Sequence, residues 1–268
     1  MKNIIFNKNK FVIVIPIYND ILTKNLQYNL LSKSWEKYCK KYEIDLIYLN
    51  GKKDTASHIC FERWEDFEVL PHYKRITFLD VDTYIREDAP NFFEIFEQEN
   101  YNIVAVPDQG GSGPYHLNQW RGFNPNWDIM SLTYFNAGFI SFPKDLYIDF
   151  SNKIVKYKEY YFKNKGKDFH PIGVGIENGI RMDALDQTGV NLCIQKEICK
   201  LDLINPIFNY QPWYHHPELR FDMQVYTDQN RKQINNLDFL QKAYAFHFGS
   251  MFVNRTNIAE ILNKLEYE

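Results

Sequence analysis

The sequence predicts an α/β protein, a sheet wound with helices, and three observations carry that prediction. The stretches "FVIVIPIYND", "IDLIYLN" and "RITFLDVD" read as strands, the first a continuous β-branched run as in a strand buried on both faces. Between the first two, Leu22, Leu26, Leu30, Leu31, Trp35 and Tyr38 recur at helical spacing. Turn residues close the runs: Tyr18, Asn19 and Asp20 follow the first strand, and Asn50-Gly51 the second. Strand, helix, strand in that order begins a parallel sheet.

The same reasoning continues along the chain. "HICFERWEDFEVL" reads as a further helix, "NFFEIFEQE" as another, and "NIVAVPD" as a strand. The rhythm then breaks from Pro107 to Asp128, "PDQGGSGPYHLNQWRGFNPNWD", a Gly-rich stretch without period. A structureless segment of about twenty residues inside a compact domain is usually functional. With Trp120 and Trp127 in it, this one reads as a binding loop that closes over a ligand. "YFNAGFISFPKDLY" restores a strand, with Gly138 in its interior, where a glycine marks a close approach by a ligand or another backbone. "LYIDFSNKIVKYKEYYFKN" is helical in period, and "HPIGVGIENGIRMDALDQTG" runs from a Gly-rich turn into a helix. "INPIFNYQPWYHH" is irregular, "AYAFHFGS" is a short strand, and "NIAEILNKLEYE" a closing amphipathic helix.

Bulk properties narrow the class. The chain has 268 residues, enough for one large domain, and no repeat or linker divides it. A net charge of -3 offers no basic field, so nucleic acid is not an expected partner. Aromatics reach 17%, well above the ordinary; many serve a core, but flat apolar faces with polar edges also suit sugars and nucleotides. The four cysteines have no paired or zinc-like spacing and read as reduced thiols. No stretch approaches the roughly 18 apolar residues of a membrane span, and the N-terminus suits a strand better than a leader. A cytoplasmic protein is expected, with peripheral membrane contact left open.

The stretch "RITFLDVDTYIRED" carries the chemistry. Asp80 and Asp82 stand where a buried strand stops, at the sheet edge where open α/β sheets bind ligands. Two adjacent carboxylates repel unless a cation sits between them, and hard oxygen ligands suit Mg²⁺ or Mn²⁺. A D-x-D triplet by itself is common and more often a pair of solvated turn residues, one of them capping the following segment; the position after "RITFL" is what favours a site.

"RITFLDVDTYI", followed by "YFNAGFISFP", resembles the nucleotide-sugar glycosyltransferases of the GT-A fold, of the glycogenin and bacterial galactosyltransferase type. The likeness runs in order from about residue 11 to 142. It implies a Rossmann-like mixed sheet flanked by helices and one domain over 1–268. About 1–145 would bind the nucleotide sugar, and about 146–268 would form the acceptor side. By this resemblance Asp80 meets the metal or the ribose of the donor, Asp82 is a direct metal ligand, and His247 in "FHFGS" completes the site. An imidazole beside two carboxylates favours Mn²⁺, with Mg²⁺ as the alternative. Asn136 and Gly138 of "FNAGF" would line the sugar pocket, and Tyr18 would stack on the base. The family's histidine motif continues with a glycine three residues on and a phosphate-touching lysine. Here Gly249 follows by two, no lysine comes soon after, and Arg255 is the nearest cation to replace it.

The implied reaction moves a sugar from a nucleotide diphosphate, UDP-linked by resemblance, to a saccharide or other hydroxyl acceptor. The acceptor must lose a proton, and Glu177 in "GIENG" is the expected base or sugar contact, where the second acid of inverting relatives is replaced by Asn178. Retaining relatives instead carry Asp or Gln nearby to hold sugar or acceptor. Asp108 opens the long loop as a donor or acceptor contact. Trp120, Trp127 and Trp213 are candidates for stacking on the acceptor. A nucleotidyltransferase is the competing enzyme class, but "FVIVIPIYND" lacks its phosphate-binding glycines. A non-catalytic carbohydrate-binding protein on a decayed transferase fold is the other alternative.

Overall fold

The structure is a computed structural model that describes residues 3–6, 10–17, 26–50, 60–61, 63–64, 70–108, 133–164, 168–169, 180–181, 186–211 and 242–248. Strands β1 (Phe11–Ile17), β2 (Asp45–Asn50) and β3 (Arg75–Leu79) fall where the apolar runs predict. β1 lies between β2 and β3 and runs parallel to both. Helix α1 (Leu26–Tyr42) connects β1 to β2 and buries Leu31, Trp35, Tyr38 and Cys39.

Beyond β3 the sheet becomes mixed. β4 (Thr83–Ile85) leaves it, α2 (Phe92–Gln98) packs on it, and β5 (Ile103–Pro107) and β6 (Phe135–Pro143) follow. β6 is antiparallel to both β3 and β5, and β9 (Leu201–Leu203) runs parallel to β5 at the edge. The order is β2-β1-β3-β6-β5-β9. Consequently β1, β2, β3, β5 and β9 all end at the same edge, where β6 begins. Residues between β6 and β9 form α3 (Lys144–Asn164), the short strands β7 (Asp168–Phe169) and β8 (Ile180–Arg181), and α4 (Gln187–Cys193). A π turn over Ile194–Ile198 extends α4. β10 (Ala245–His247) pairs with β4 in a separate two-stranded sheet.

Each face of the main sheet has its own core. Ile13 and Ile15 pack with α1 and with Phe92, Phe93 and Phe96 of α2. On the opposite face Val12, Val14, Ile76 and Phe78 pack with Tyr147, Phe150, Ile154 and Tyr157 of α3 and with Val190 and Leu192 of α4. The alternation explains why β1 carries no polar face; in β3 the buried Arg75 and Thr77 share one side and are satisfied by hydrogen bonds, Thr77 Oγ1 donating to Ser141 Oγ (2.8 Å) and Arg75 Nη1 to the Asn102 carbonyl (3.0 Å). Each large apolar side chain so enclosed contributes about 1.5–3 kcal/mol. All four cysteines are free thiols, and among the described residues no helix is long and apolar enough to cross a membrane.

Two sequence expectations change here. Of the helix expected over "HICFERWEDFEVL", the described part is α-helical at Cys60 and Phe61, Arg63 and Trp64 sit in a turn, and Leu70 opens a 3-10 turn that runs to His72. That turn buries Trp64 and Arg63 completely enough to need specific partners, described below. The helix expected after the Gly-rich turn begins at Gln187, and Ile180–Arg181 upstream pairs as a strand with Asp168–Phe169. The closing helix expected at the C-terminus lies outside the described residues.

Candidate active site

Asp80 follows the last residue of β3 and turns at once. Its N–H donates to the Gly138 carbonyl (2.9 Å), and its own carbonyl accepts from the Thr83 N–H (3.1 Å). Asp80 and Asp82 therefore meet through a tight turn and not through the side-to-side alternation of an extended strand. Asp82 is held next: its carbonyl accepts from the Phe248 N–H (2.9 Å), and β4 just beyond pairs Thr83 with His247. α1 clamps that segment from behind. Trp35 Nε1 donates to the Thr83 carbonyl (2.5 Å), and the Ile85 N–H donates to Ser34 Oγ (3.1 Å).

His247 reaches the turn because β10 is squeezed between two partners. β4 lies on one side. On the other, the Tyr210 N–H donates to the Ala245 carbonyl and the His247 N–H to the Tyr210 carbonyl, both at 2.8 Å. His247 Nε2 then stands 3.1 Å from Asp82 Oδ1 and 3.6 Å from Asp80 Oδ2. One donor atom from each of Asp80, Asp82 and His247 lies within 4.8 Å of the others. Burial alone pulls the imidazole's pKa down, but the Asp82 and Asp80 carboxylates outweigh it and hold it above its ordinary value.

This set fits a divalent cation. Asp82 Oδ1 is buried and has no hydrogen-bond donor in line with it among the described residues, although His247 Nε2 is close. Two oxygens and one imidazole nitrogen, gathered at a sheet edge, match the ligand chemistry of Mn²⁺ and Mg²⁺ sites.

Gly138 explains how the three side chains approach one another. β5 pairs Val106 with Asn136 but Ala105 with Ile140, so β6 bulges at Ala137, Gly138 and Phe139. A Cβ on Gly138 would lie 2.5 Å from His247 Cε1 and 2.7 Å from both Asp80 Oδ2 and Asn136 Oδ1. The close approach expected at this glycine is made by side chains of the site itself. Asn136, expected at a sugar, is nearly buried and already bonded: its Oδ1 accepts from the Gly138 N–H (2.8 Å) and its Nδ2 donates to Gln187 Oε1 (3.3 Å).

Four residues of the site were not singled out in the sequence. Arg63 is buried beside the carboxylates; its Nη1 donates to Asp80 Oδ1 (2.5 Å), while Nε and Nη2 donate to Asp186 Oδ2 at 3.2 and 2.8 Å. Trp64 Nε1 donates to the same oxygen (2.8 Å), and the guanidinium lies over the Trp64 ring. Burial raises the Asp186 carboxyl above its ordinary value, against the pull of Arg63 and Trp64. Gln187 accepts from the Ala137 N–H (3.1 Å). An aspartate directly before a helix is a readable cap signal, but Asp186 does not cap: its Oδ2 is given to Arg63 and Trp64.

Asp108 follows β5 on the same sheet edge, where its N–H donates to the Tyr134 carbonyl (3.0 Å), and it is not part of the Asp80–Asp82–His247 group. Tyr18, Glu177, Arg255, Trp120, Trp127, Trp213 and the loop beyond Asp108 lie outside the described residues.

A mixed sheet of this order, with paired aspartates and a histidine at its ligand-binding edge, defines the GT-A class of glycosyltransferases. The chain belongs to glycosyl transferase family 8, whose profile matches residues 1–170. No curated protein matches the chain in sequence. Solved structures share the fold at low identity. The bifunctional glycosyltransferase WbbM aligns at a TM-score of 0.55 and 11% identity, over 97% of this chain and 52% of its own. GlyE of Streptococcus pneumoniae TIGR4 aligns at 0.53 and 14%, over 95% and 62%. The galactosyltransferase LgtC, solved with donor and acceptor sugar analogues, aligns at 0.50 and 12%, over 95% of both chains. The chain thus spans about half of WbbM and less than two thirds of GlyE.

Proposed function

We propose that the protein transfers a sugar from a nucleotide diphosphate, UDP-linked, to a saccharide or other hydroxyl acceptor, with Mn²⁺ held by Asp80, Asp82 and His247. The observation that carries this reading is the convergence of those three side chains at the edge of a family 8 sheet. The imidazole favours Mn²⁺ over Mg²⁺. When bound, the cation supplies Lewis-acid neutralisation of the charge that grows on the leaving diphosphate.

The chain's own residues do the rest. Arg63 takes one oxygen of Asp80 and so turns the other, Oδ2, toward His247. Gln187 and Asp186 supply the Gln and Asp that the resemblance calls for beside the sugar. Glu177 keeps its proposed role as base or sugar contact, Asp108 as donor-sugar or acceptor contact, Arg255 as the cation at the diphosphate and Tyr18 as the stacking face for the base, with Asn136 and Gly138 lining the sugar pocket. About 1–145 then serves the donor and about 146–268 the acceptor, in a cytoplasmic enzyme that is free to touch a membrane surface.

Calorimetry tests the central claim. UDP should bind the wild type only with Mn²⁺ present, and Asp82→Asn should lose that binding. Equal UDP binding without metal and in the variant would overturn it. A thermal-shift panel of nucleotide sugars with Mn²⁺ then identifies the donor, since the tightest ligand stabilises most.

A further inference from the structure

β6 outruns its neighbour. Pairing with β3 stops at Leu79 opposite Phe139, while β6 begins four residues earlier at Phe135. Side chains complete the edge in place of a strand. Asn191 Oδ1 accepts from the Phe135 N–H and Asn191 Nδ2 donates to the Phe135 carbonyl, each at 2.9 Å. Two residues on, Gln187 Oε1 accepts from the Ala137 N–H (3.1 Å) and Arg63 Nη2 donates to the Ala137 carbonyl (3.4 Å). The Asp80 N–H ends the series on the Gly138 carbonyl.

Asn191 ties these bonds together. It is fully buried, and all four of its hydrogen-bonding positions are used. Besides Phe135, its Nδ2 donates to the Gln187 carbonyl (2.9 Å) and its Oδ1 accepts from Gln195 Nε2 (3.1 Å). One amide therefore fixes the strand and the first turn of α4 to each other. That turn carries Gln187 and follows Asp186, which holds Arg63 on Asp80. Gln195 is also an anchor, but its other bonds go to Thr133, away from Gln187.

We propose that Asn191 is a positioning residue for the transferase site, setting α4 against the open edge of β6 so that the Gln187 side chain stays on Ala137. Its catalytic consequence rests on the proposed function; its effect on Gln187 does not. The test therefore has two readings, on Asn191→Asp and Asn191→Ala, with Gln195→Leu as the control. Asn191→Asp still accepts from Phe135 but can no longer donate to the Gln187 carbonyl. The first reading is amide hydrogen exchange followed residue by residue. Exchange at Ala137, which Asn191 does not touch, should speed up by about tenfold or more in both variants and stay near wild type in Gln195→Leu. Where the aspartate variant does not fold, the alanine variant gives the answer. Unchanged protection at Ala137 would overturn the proposal, and so would an equal loss in Gln195→Leu.

The second reading is turnover of the nucleotide sugar that the thermal-shift panel selects, with Mn²⁺ and water as acceptor. kcat should fall by about tenfold, as small misplacements of reacting groups do, while KM changes little. A fall in KM affinity alone, or wild-type kcat in a folded variant, would refute the positioning role. No turnover by the wild type would count against the donor reading and leaves the exchange result standing.

Discussion

Gly138→Ala places a methyl group where the site has no room for one. Its Cβ would stand 2.5 Å from His247 Cε1, against about 3.5–4.0 Å for an ordinary carbon contact, so the imidazole or the strand must give way by about 1 Å. Gly138 has no left-handed φ, so the cost is steric and not conformational. His247 has little freedom to move: its side chain is 6% exposed, and its backbone is bonded to Tyr210. Asp80, at 22%, can swing outward but would leave Arg63. Overpacking of this kind costs about 1–3 kcal/mol. At about 2–4 °C per kcal/mol for a chain near this size, Tm should fall by about 2–12 °C. Displaced ligands should weaken Mn²⁺ binding by about 10–100-fold, the usual effect of losing the support of a ligand's orientation. Calorimetric Mn²⁺ titration and scanning calorimetry read both quantities on one sample. Lowered Tm with wild-type Mn²⁺ affinity would show that Asp80 and His247 do not form the metal site. Unchanged values for both would refute the packing argument itself.

The buried ion pairs give further tests. Arg63→Leu strands the Asp186 carboxylate and should cost about 3–5 kcal/mol in urea denaturation, whereas a loss below 1 kcal/mol would show that the pair is not desolvated. That loss should depend on pH. Burial holds the folded-state pKa of Asp186 above its unfolded value, the more so without Arg63, so the folded chain keeps a proton that the unfolded chain has released. Stability of the variant is then greatest below the unfolded value and falls as pH rises through the folded one; a flat profile from acidic to neutral pH would contradict this. Trp64→Phe removes the Nε1 donor to Asp186 together with the pyrrole half of a fully buried indole, so about 1.5–3 kcal/mol should be lost from the hydrogen bond and a further loss should come from the cavity left against Phe78 and Phe150; a total loss below 1 kcal/mol would contradict this. Tyr38→Phe should cost about 1 kcal/mol through the bonds to the Pro90 carbonyl and Phe92 N–H, and should leave Mn²⁺ binding untouched.

Much of the sheet was legible because burial on both faces writes itself as unbroken apolar runs, at β1 and β5. α1 and α3 were legible from the spacing of Trp35 and Tyr38 and of Tyr147, Phe150 and Ile154. Asp80 and Asp82 stood out because charge after a buried strand is costly without a partner. The helix read across "HICFERWEDFEVL" failed at Arg63 and Trp64 for a related reason. Periodicity reports which side of an element is apolar, and these two residues are buried for a carboxylate 123 and 122 positions away. Asn191 was hidden in the same way: it reads as one polar residue in a short helix, and its work is done on the backbone of Phe135.

By itself, then, the sequence determined the α/β class, the placement of most strands and the carboxylate pair, since these depend on local pattern and burial. Only the tertiary structure decided the third member of the cluster, through the squeeze of β10 between β4 and Tyr210. It also decided which charges neutralise one another and why position 138 has no side chain. These are contacts between residues far apart in the chain, and no local period records them.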